Sequence, residues 1–187
     1  METKAMAEAQ PTWRFTGVDP SPAMLDLARN VVNPFANRVN LVEGTVDQLP
    51  ADPFDGATCL LTFHHLDRNE RRRTLQEIRR RLKPAARMVL VEHSACEPDP
   101  ARWMTRSVAF GDHDGLDWLK AATSGRILTE RLTLLSPNEE EELLREVGFS
   151  DIAMFYAALS FRGWVASADP AWPMDNSELL KDGSDRS

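Results

Sequence analysis

The sequence predicts an α/β fold: a mostly parallel sheet with helices on both faces and an antiparallel hairpin on its edge. Three observations carry this. Short runs of β-forming residues alternate with stretches of helical period through the first half of the chain. Two of those runs, 57–63 and 88–91, are almost continuously apolar, as strands covered on both faces are. Two further strands, near 150–156 and 158–166, follow each other with only a short link.

Each element has a local reason. Residues 2–10 are good helix formers stopped by Pro11. Residues 13–18 alternate aromatic and polar and end on Asp19-Pro20, a strand meeting a turn. Ser21 followed by Pro22 is an N-cap with proline at the first helical position, and Met24, Leu25, Ala28, Val31 and Val32 give that helix its apolar face. Residues 39–42 form a short strand that stops at Glu43-Gly44, and 50–53 form a loop before the strand at 57–63. A helix over 67–83 turns Leu75, Ile78 and Leu82 inward and ends at Lys83-Pro84. Its eight basic residues, Arg71, Arg72, Arg73, Arg79, Arg80 and Arg81 among them, fit a solvated outer face with cations gathered toward the C-terminus. From 100 to 135 the pattern is helical but irregular, with Trp103, Phe110 and Trp118 as large apolar anchors. Ser136-Pro137-Asn138-Glu139 is a capping box, Leu143, Leu144 and Val147 face the core, and Gly148 closes that helix. One α/β domain over 1–168 and a polar tail over 169–187 follow from this pattern.

Composition narrows the function. The chain has 187 residues, 42% of them hydrophobic, enough for one core. Twenty-two basic against 29 acidic side chains leave a net charge of −7, which argues against nucleic acid or an anionic membrane surface as the main partner. No long apolar run and no secretory signal are visible. Cys59 and Cys96 read as reduced core residues, so a cytoplasmic protein without a metal site is expected.

Three segments can carry chemistry. Asp19 ends a strand just before a helix, where a carboxylate can accept both hydroxyls of a ribose or simply cap the helix. The glycine turn in 42–50 lets backbone amides approach a flat ring. The strand after Phe54 delivers Thr62, Phe63, His64 and His65 to its carboxyl end, where open α/β sheets bind ligands. The two histidines could orient an acceptor or take its proton, although a polar loop pair is the simpler reading. Glu92-His93, ending the next strand, could line the same cleft, whereas His113 between two aspartates reads as a surface helix break.

Taken in order, GVDPSPAML, VEGTVDQLP, FDGATCLLTFHHL, LQEIRRRLKPAARMVLVE and GFSDIAMFYAALSFRGWVA resemble class I S-adenosylmethionine-dependent methyltransferases over about residues 2–166. The resemblance implies a Rossmann-like sheet, S-adenosyl-L-methionine as cofactor and an in-line transfer of its methyl group. It implies that Asp19 holds the ribose, with Pro20 and Met24 near the nucleoside. Thr45 and Val46 would border the adenine, Thr62 and Phe63 the methionine half, with His64 or His65 facing the acceptor. From the acidic charge, that acceptor is expected to be a small molecule; self-association is left open.

The sequence departs from the family in three places. Thr45 stands where many relatives carry an acidic residue, which leaves the adenine to backbone amides. Ala85-Ala86 replaces a common Gly-Gly, and an alanine held at positive φ there would cost about 1 kcal/mol. The nine glycines contain no Gly-x-Gly pair, and no first strand precedes residue 2. The chain therefore reads as N-terminally truncated relative to the family, through a truncated gene, a misplaced start codon or divergence. The strands at 13–18 and 57–63 would then keep unpaired edges or pair directly. Two other classes stay open: a non-catalytic remnant acting as a partner subunit or inactive fragment, and another enzyme on the same scaffold. The latter includes an NAD-binding protein, which the absent Gly-x-Gly-x-x-Gly disfavours, and a carboxylated-cofactor synthase in which Arg126 or Arg131 serves a carboxylate.

Overall fold

The computed structural model describes residues 2–50, 53–113 and 115–171. The chain forms two compact units that divide after residue 51. The polar tail expected from 169 lies, from 172 onward, outside the described residues, as do the middle of the 50–53 loop and Asp114.

In the first unit α1 (Glu2–Ala9) leads to β1 (Phe15–Asp19), α2 (Pro22–Val32) and β2 (Val39–Glu43), with a 3-10 turn at Val46–Gln48. β1 and β2 run parallel, Phe15 opposite Val39 and Asp19 opposite Glu43. Gly17 packs closely in this pairing: a Cβ there would sit 2.9 Å from Leu41 Cδ2, and the leucine would have to move. Ser21 caps α2 by accepting the Met24 amide, and Leu25 and Val32 are buried. Arg38 ties the last turn of α1, where carbonyls are orphaned as at any helix end, to the segment that follows it. Its guanidinium donates to the carbonyls of Ala7, Gln10 and Trp13 and lies 5.0 Å from the Phe35 ring centroid.

The second unit contains β3 (Phe54–Leu60), α3 (Arg68–Arg80), β4 (Leu82–His93), α4 (Pro100–Gly111), α5 (Trp118–Arg131), α6 (Pro137–Glu146), β5 (Phe149–Ala158) and β6 (Phe161–Ala168). Its sheet has the order β3-β4-β6-β5, with β3 parallel to β4 and the expected antiparallel hairpin β5-β6 at the edge. The core gathers Leu75, Met88, Leu90, Leu143, Leu144 and Trp164. α4 and α5 pack closely at Gly125, where a Cβ would meet Thr105 backbone at 2.7 Å. In place of one sheet there are thus two among the described residues, where β1 pairs only with β2 and β3 only with β4.

Several sequence expectations are corrected. The strand expected over 57–63 ends at Leu60, and Phe63–His65 form a 3-10 turn. The helix expected over 67–83 ends at Arg80; Leu82 is buried, but in β4, which runs through Lys83-Pro84 because Phe54 pairs with Leu82. Between that pair and Gly56 opposite Arg87 the register shifts, and Ala85 takes up the irregularity at φ 62°. α3 is not solvated all along its basic face. Arg71, Arg79 and Arg81 are buried: Arg71 pairs with Glu140, Arg79 donates to the carbonyls of Gly148 and Asp169, and Arg81 pairs with Glu77. Phe110 and Trp118 are no anchors either; they are 79% and 56% exposed, and Met104 and Ala121 occupy the buried face instead.

Candidate functional site

In the first unit the carboxyl ends of β1 and β2 lie side by side, so Asp19 and the glycine turn are neighbours: the Gly44 amide donates to the Asp19 carbonyl at 3.1 Å. Asp19 Oδ1 accepts the Ser21 amide at 2.8 Å, while Ser21 itself caps α2. Asp19 is therefore not the helix cap, and its Oδ2 carries no hydrogen bond among the described residues. Pro20 and Met24 are exposed beside it. Gly44 sits at φ 141°, and a Cβ there would fall 1.9 Å from Gln48 Oε1, the atom that accepts the Thr45 amide. The Thr45 hydroxyl donates to Asp47 Oδ1, and Val46 opens the 3-10 turn. A half-engaged carboxylate beside a turn that only glycine fits comfortably suits a ribose and a flat base.

In the second unit Thr62, Phe63, His64 and His65 form one turn at the end of β3, entered through Leu61 at φ 59°. A leucine in the left-handed region is strained, and such strain persists only where surrounding contacts over-determine it. Here they do. Glu92 lies on the buried face of β4, two residues after Leu90, because strand side chains alternate. Its Oε1 accepts the amides of Thr62 and Phe63 at 3.2 and 2.9 Å, and its Oε2 accepts the His64 amide at 3.0 Å and His64 Nδ1 at 2.6 Å. Arg71 donates to the Phe63 carbonyl at 2.9 Å and to the Thr133 carbonyl at 2.8 Å, and the Thr133 amide donates to the His64 carbonyl at 2.9 Å.

The four residues of the turn have different surroundings. The Phe63 ring belongs to the core, so only its backbone borders the turn's surface. His64 is 4% exposed and Glu92 1%. Thr62 and His65 are exposed. The His64 ring lies 4.4 Å from that of His65 and 5.1 Å from that of His93. His93 continues the network through Ser160 Oγ at 2.7 Å, which bonds Ser107 Oγ at 2.5 Å. Burial first, and the neighbouring His64 second, push His93 down from its ordinary value to about 4.

Glu92-His93, expected to line the same cleft, contact His64 instead through Glu92 Oε2 and the His93 ring, with Glu92 itself buried. Arg71, Ser107 and Ser160 were missed by the sequence reading. A signal existed for Arg71, which shares a helical stripe with Leu75 and Ile78; none existed for the serines. Arg126 and Arg131 are exposed on α5, and Arg126 is engaged with Glu130 at 3.1 Å.

Comparison with known proteins agrees with this fold. Residues 2–85 match the family model described as a methyltransferase domain. The carboxy-S-adenosyl-L-methionine synthase of Alteromonas mediterranea is 24% identical over 159 residues, covering 83% of this chain and 65% of that protein. The demethylmenaquinone methyltransferase of Symbiobacterium thermophilum is 30% identical over 162 residues, covering 76% of this chain and 61% of that protein. The chain thus spans a little under two thirds of these relatives. Among solved structures, the pyocyanin biosynthetic protein PhzM superposes with a TM-score of 0.64 at 22% identity, covering 88% of this chain and 46% of that one. PigF, solved with SAH, superposes with a TM-score of 0.62 at 20% identity, covering 88% and 46%. The chain carries the class I fold of the S-adenosylmethionine-dependent methyltransferases.

Proposed function

We propose that this chain binds S-adenosylmethionine and serves methyl transfer to a small-molecule acceptor. The observation that carries the reading is Asp19: a carboxylate at the end of β1 with one oxygen on the Ser21 amide, the other unengaged among the described residues, and the Gly44 turn hydrogen-bonded beside it. The match of residues 2–85 to a methyltransferase domain supports it.

When bound, the cofactor supplies an electrophilic methyl group together with its own leaving group. The chain's residues then have modest tasks. Asp19 accepts the ribose hydroxyls, with Pro20 and Met24 beside the nucleoside. Thr45 and Val46 border the adenine, Val46 through its backbone amide, since the Thr45 amide is held by Gln48 Oε1. Within the second unit, Thr62 and Phe63 are the residues that the family resemblance assigns to the methionine half; the Thr62 hydroxyl donates to the Leu60 carbonyl at 3.3 Å, and Phe63 anchors the turn from the core. His64 or His65 meets the acceptor. Alignment supplies most of the acceleration in such a reaction, and a base matters only where the acceptor arrives protonated. The small-molecule acceptor rests on the acidic net charge of −7.

A second reading, synthesis of a carboxylated cofactor, is favoured by the name of the Alteromonas relative. It needs a cation for the carboxylate; of the two candidates the guanidinium of Arg126 is engaged by Glu130, and Arg131 is exposed on α5.

The test is incubation of the chain with methyl-labelled S-adenosylmethionine and pools of hydroxylated and amine-bearing small molecules, read by mass spectrometry. Labelled product and S-adenosylhomocysteine in equal amounts are expected from the wild type, and both at about a tenth of that yield or less from Asp19→Asn when the cofactor is below saturation. A wild-type yield no greater than that of Asp19→Asn contradicts the proposal.

A further inference from the structure

One edge of the second unit's sheet is bare of charge. β5 closes the order β3-β4-β6-β5, so its outer side has no strand beside it among the described residues. Its amino half joins the core through Phe149 and Ile152. Beyond that, residues 153–157 are exposed one after another. Because strand side chains alternate between faces, an unbroken exposed run means that neither face is covered. Met154, Phe155 and Tyr156 are 39%, 58% and 44% exposed. Phe155 is the extra residue of a bulge, since Met154 pairs with Trp164 and Tyr156 with Gly163. Its ring is seated over that glycine, where a Cβ would meet Phe155 Cζ at 3.1 Å, and the rest of the ring is open. From 152 to 161 no residue carries a charge.

We propose that β5 is a self-association face, on which two copies of this chain meet antiparallel about a twofold axis beside Phe155. Charge selects the occupant. Each copy carries a net charge of −7, so copies repel wherever carboxylates face each other. Along 152–158 nothing charged meets its counterpart. The other exposed apolar set, Phe110, Leu116, Trp118 and Leu119, is interspersed with Asp112 and Asp117, and a twofold contact there brings like charges together. Symmetry selects the arrangement. An apolar strand edge that meets a different surface leaves the same edge open on the next copy and propagates, whereas an isologous contact uses both edges and stops at two. Three half-exposed side chains per copy make a small interface, so the dimer is reversible, with a Kd on the order of ten micromolar. The inference stands apart from the methyl-transfer reading and uses none of the residues of that site.

The experiment is sedimentation velocity of the full chain across the micromolar range, as wild type, Phe155→Asp and Tyr156→Lys, with Phe110→Asp as the control on the other apolar set. The wild type and Phe110→Asp are expected to pass from one copy to two with rising concentration and to go no further. Phe155→Asp and Tyr156→Lys stay single, with circular dichroism matching the wild type. Cross-linking gives a second readout that needs no disruptive change. A residue beside the axis faces its own copy, with Cα atoms about 4.5–5.5 Å apart in an antiparallel pair, which is within disulfide reach. Under mild oxidation Phe155→Cys should therefore give a disulfide-linked dimer at least about tenfold faster than Phe110→Cys, because association raises the effective thiol concentration. The wild type, whose Cys59 is half-buried and Cys96 buried, gives none. A wild type that stays single at every concentration, assembly beyond two, a dimer that survives both Phe155→Asp and Tyr156→Lys, or equal cross-linking at 155 and 110 would overturn the inference. In the first of these cases, slow exchange of the β5 amides assigns the edge to another segment of this chain, and fast exchange assigns it to a different partner.

Discussion

Asp19 separates structural from binding roles within a single carboxylate, since Oδ1 orders the Ser21 amide and Oδ2 is unengaged among the described residues. Asp19→Asn keeps an acceptor for Ser21 and removes the charge that a ribose would use. Affinity for S-adenosylhomocysteine should fall about tenfold or more, measured by calorimetry, with Tm nearly unchanged; equal affinity would remove Asp19 from the binding surface. His93 gives a second residue-scale prediction. Its pKa in the folded chain, about 4, lies below the ordinary 6.5, so the unfolded chain takes the proton first. Its contribution to stability is therefore complete above pH 6.5 and is lost as pH falls toward 4. His93→Gln can keep a partner for Ser160 and should flatten the wild-type decline across that window by about 1 kcal/mol, once the ring's partial exposure is allowed for. Urea titrations at the two ends of the window measure it. Ala85 is a third case. Its φ of 62° is the conformation anticipated from the Ala-Ala that follows Leu82-Lys83-Pro84. Ala85→Gly should stabilise the fold by about 1 kcal/mol, visible as a higher urea midpoint; a lower midpoint would show that the alanine makes compensating contacts. Glu92 was harder to read. The alternation Ala86, Met88, Leu90 already places it on the buried face, but strand period says nothing about which donors it meets, and those come from a turn some thirty residues upstream.

At the scale of elements, short-range chemistry was the most legible part. Ser21-Pro22 and Ser136-Pro137-Asn138-Glu139 start helices where their caps predict, because a cap is satisfied within its own turn. The boundaries set by tertiary pairing were not legible. Pro84 bars the helix from continuing, but that Leu82 already lies in a strand follows from Phe54, which pairs with it. The buried arginines belong to the same lesson, since a basic helix face looks solvated until its carboxylate arrives from another element. Arg71 and Glu140 bring α3 and α6 together at 2.5 Å with no solvent contact to speak of, and burial pushes Glu140 upward against the pull of Arg71. Arg71→Met leaves that carboxylate uncompensated and should cost about 3–5 kcal/mol. Adding Glu140→Leu should recover about half of the loss, because the Phe63 and Thr133 carbonyls still lack their donor. A double-mutant cycle by urea denaturation checks this. Additive losses would mean that the pair does not act as one unit.

For the whole molecule, the order of strands and helices was enough to predict an α/β architecture with a C-terminal antiparallel hairpin, and both are present. The division into two sheets matches the expectation that the strands at 13–18 and 57–63 keep unpaired edges, since among the described residues β1 pairs with β2 and β3 with β4. The candidate site was legible as a set of strand ends, because ligand-facing residues of α/β sheets concentrate there whatever the chemistry. What distinguishes His64 from His65 was not, for their separation in burial depends on Glu92, Arg71 and Thr133 together. The central claim concerns the cofactor, and it is tested most directly by calorimetric titration of the folded 187-residue chain with S-adenosylhomocysteine. The account predicts saturable one-site binding at roughly micromolar concentration, about −8 kcal/mol, that weakens in Asp19→Asn. No heat from a chain shown to be folded, at concentrations up to millimolar, would contradict it.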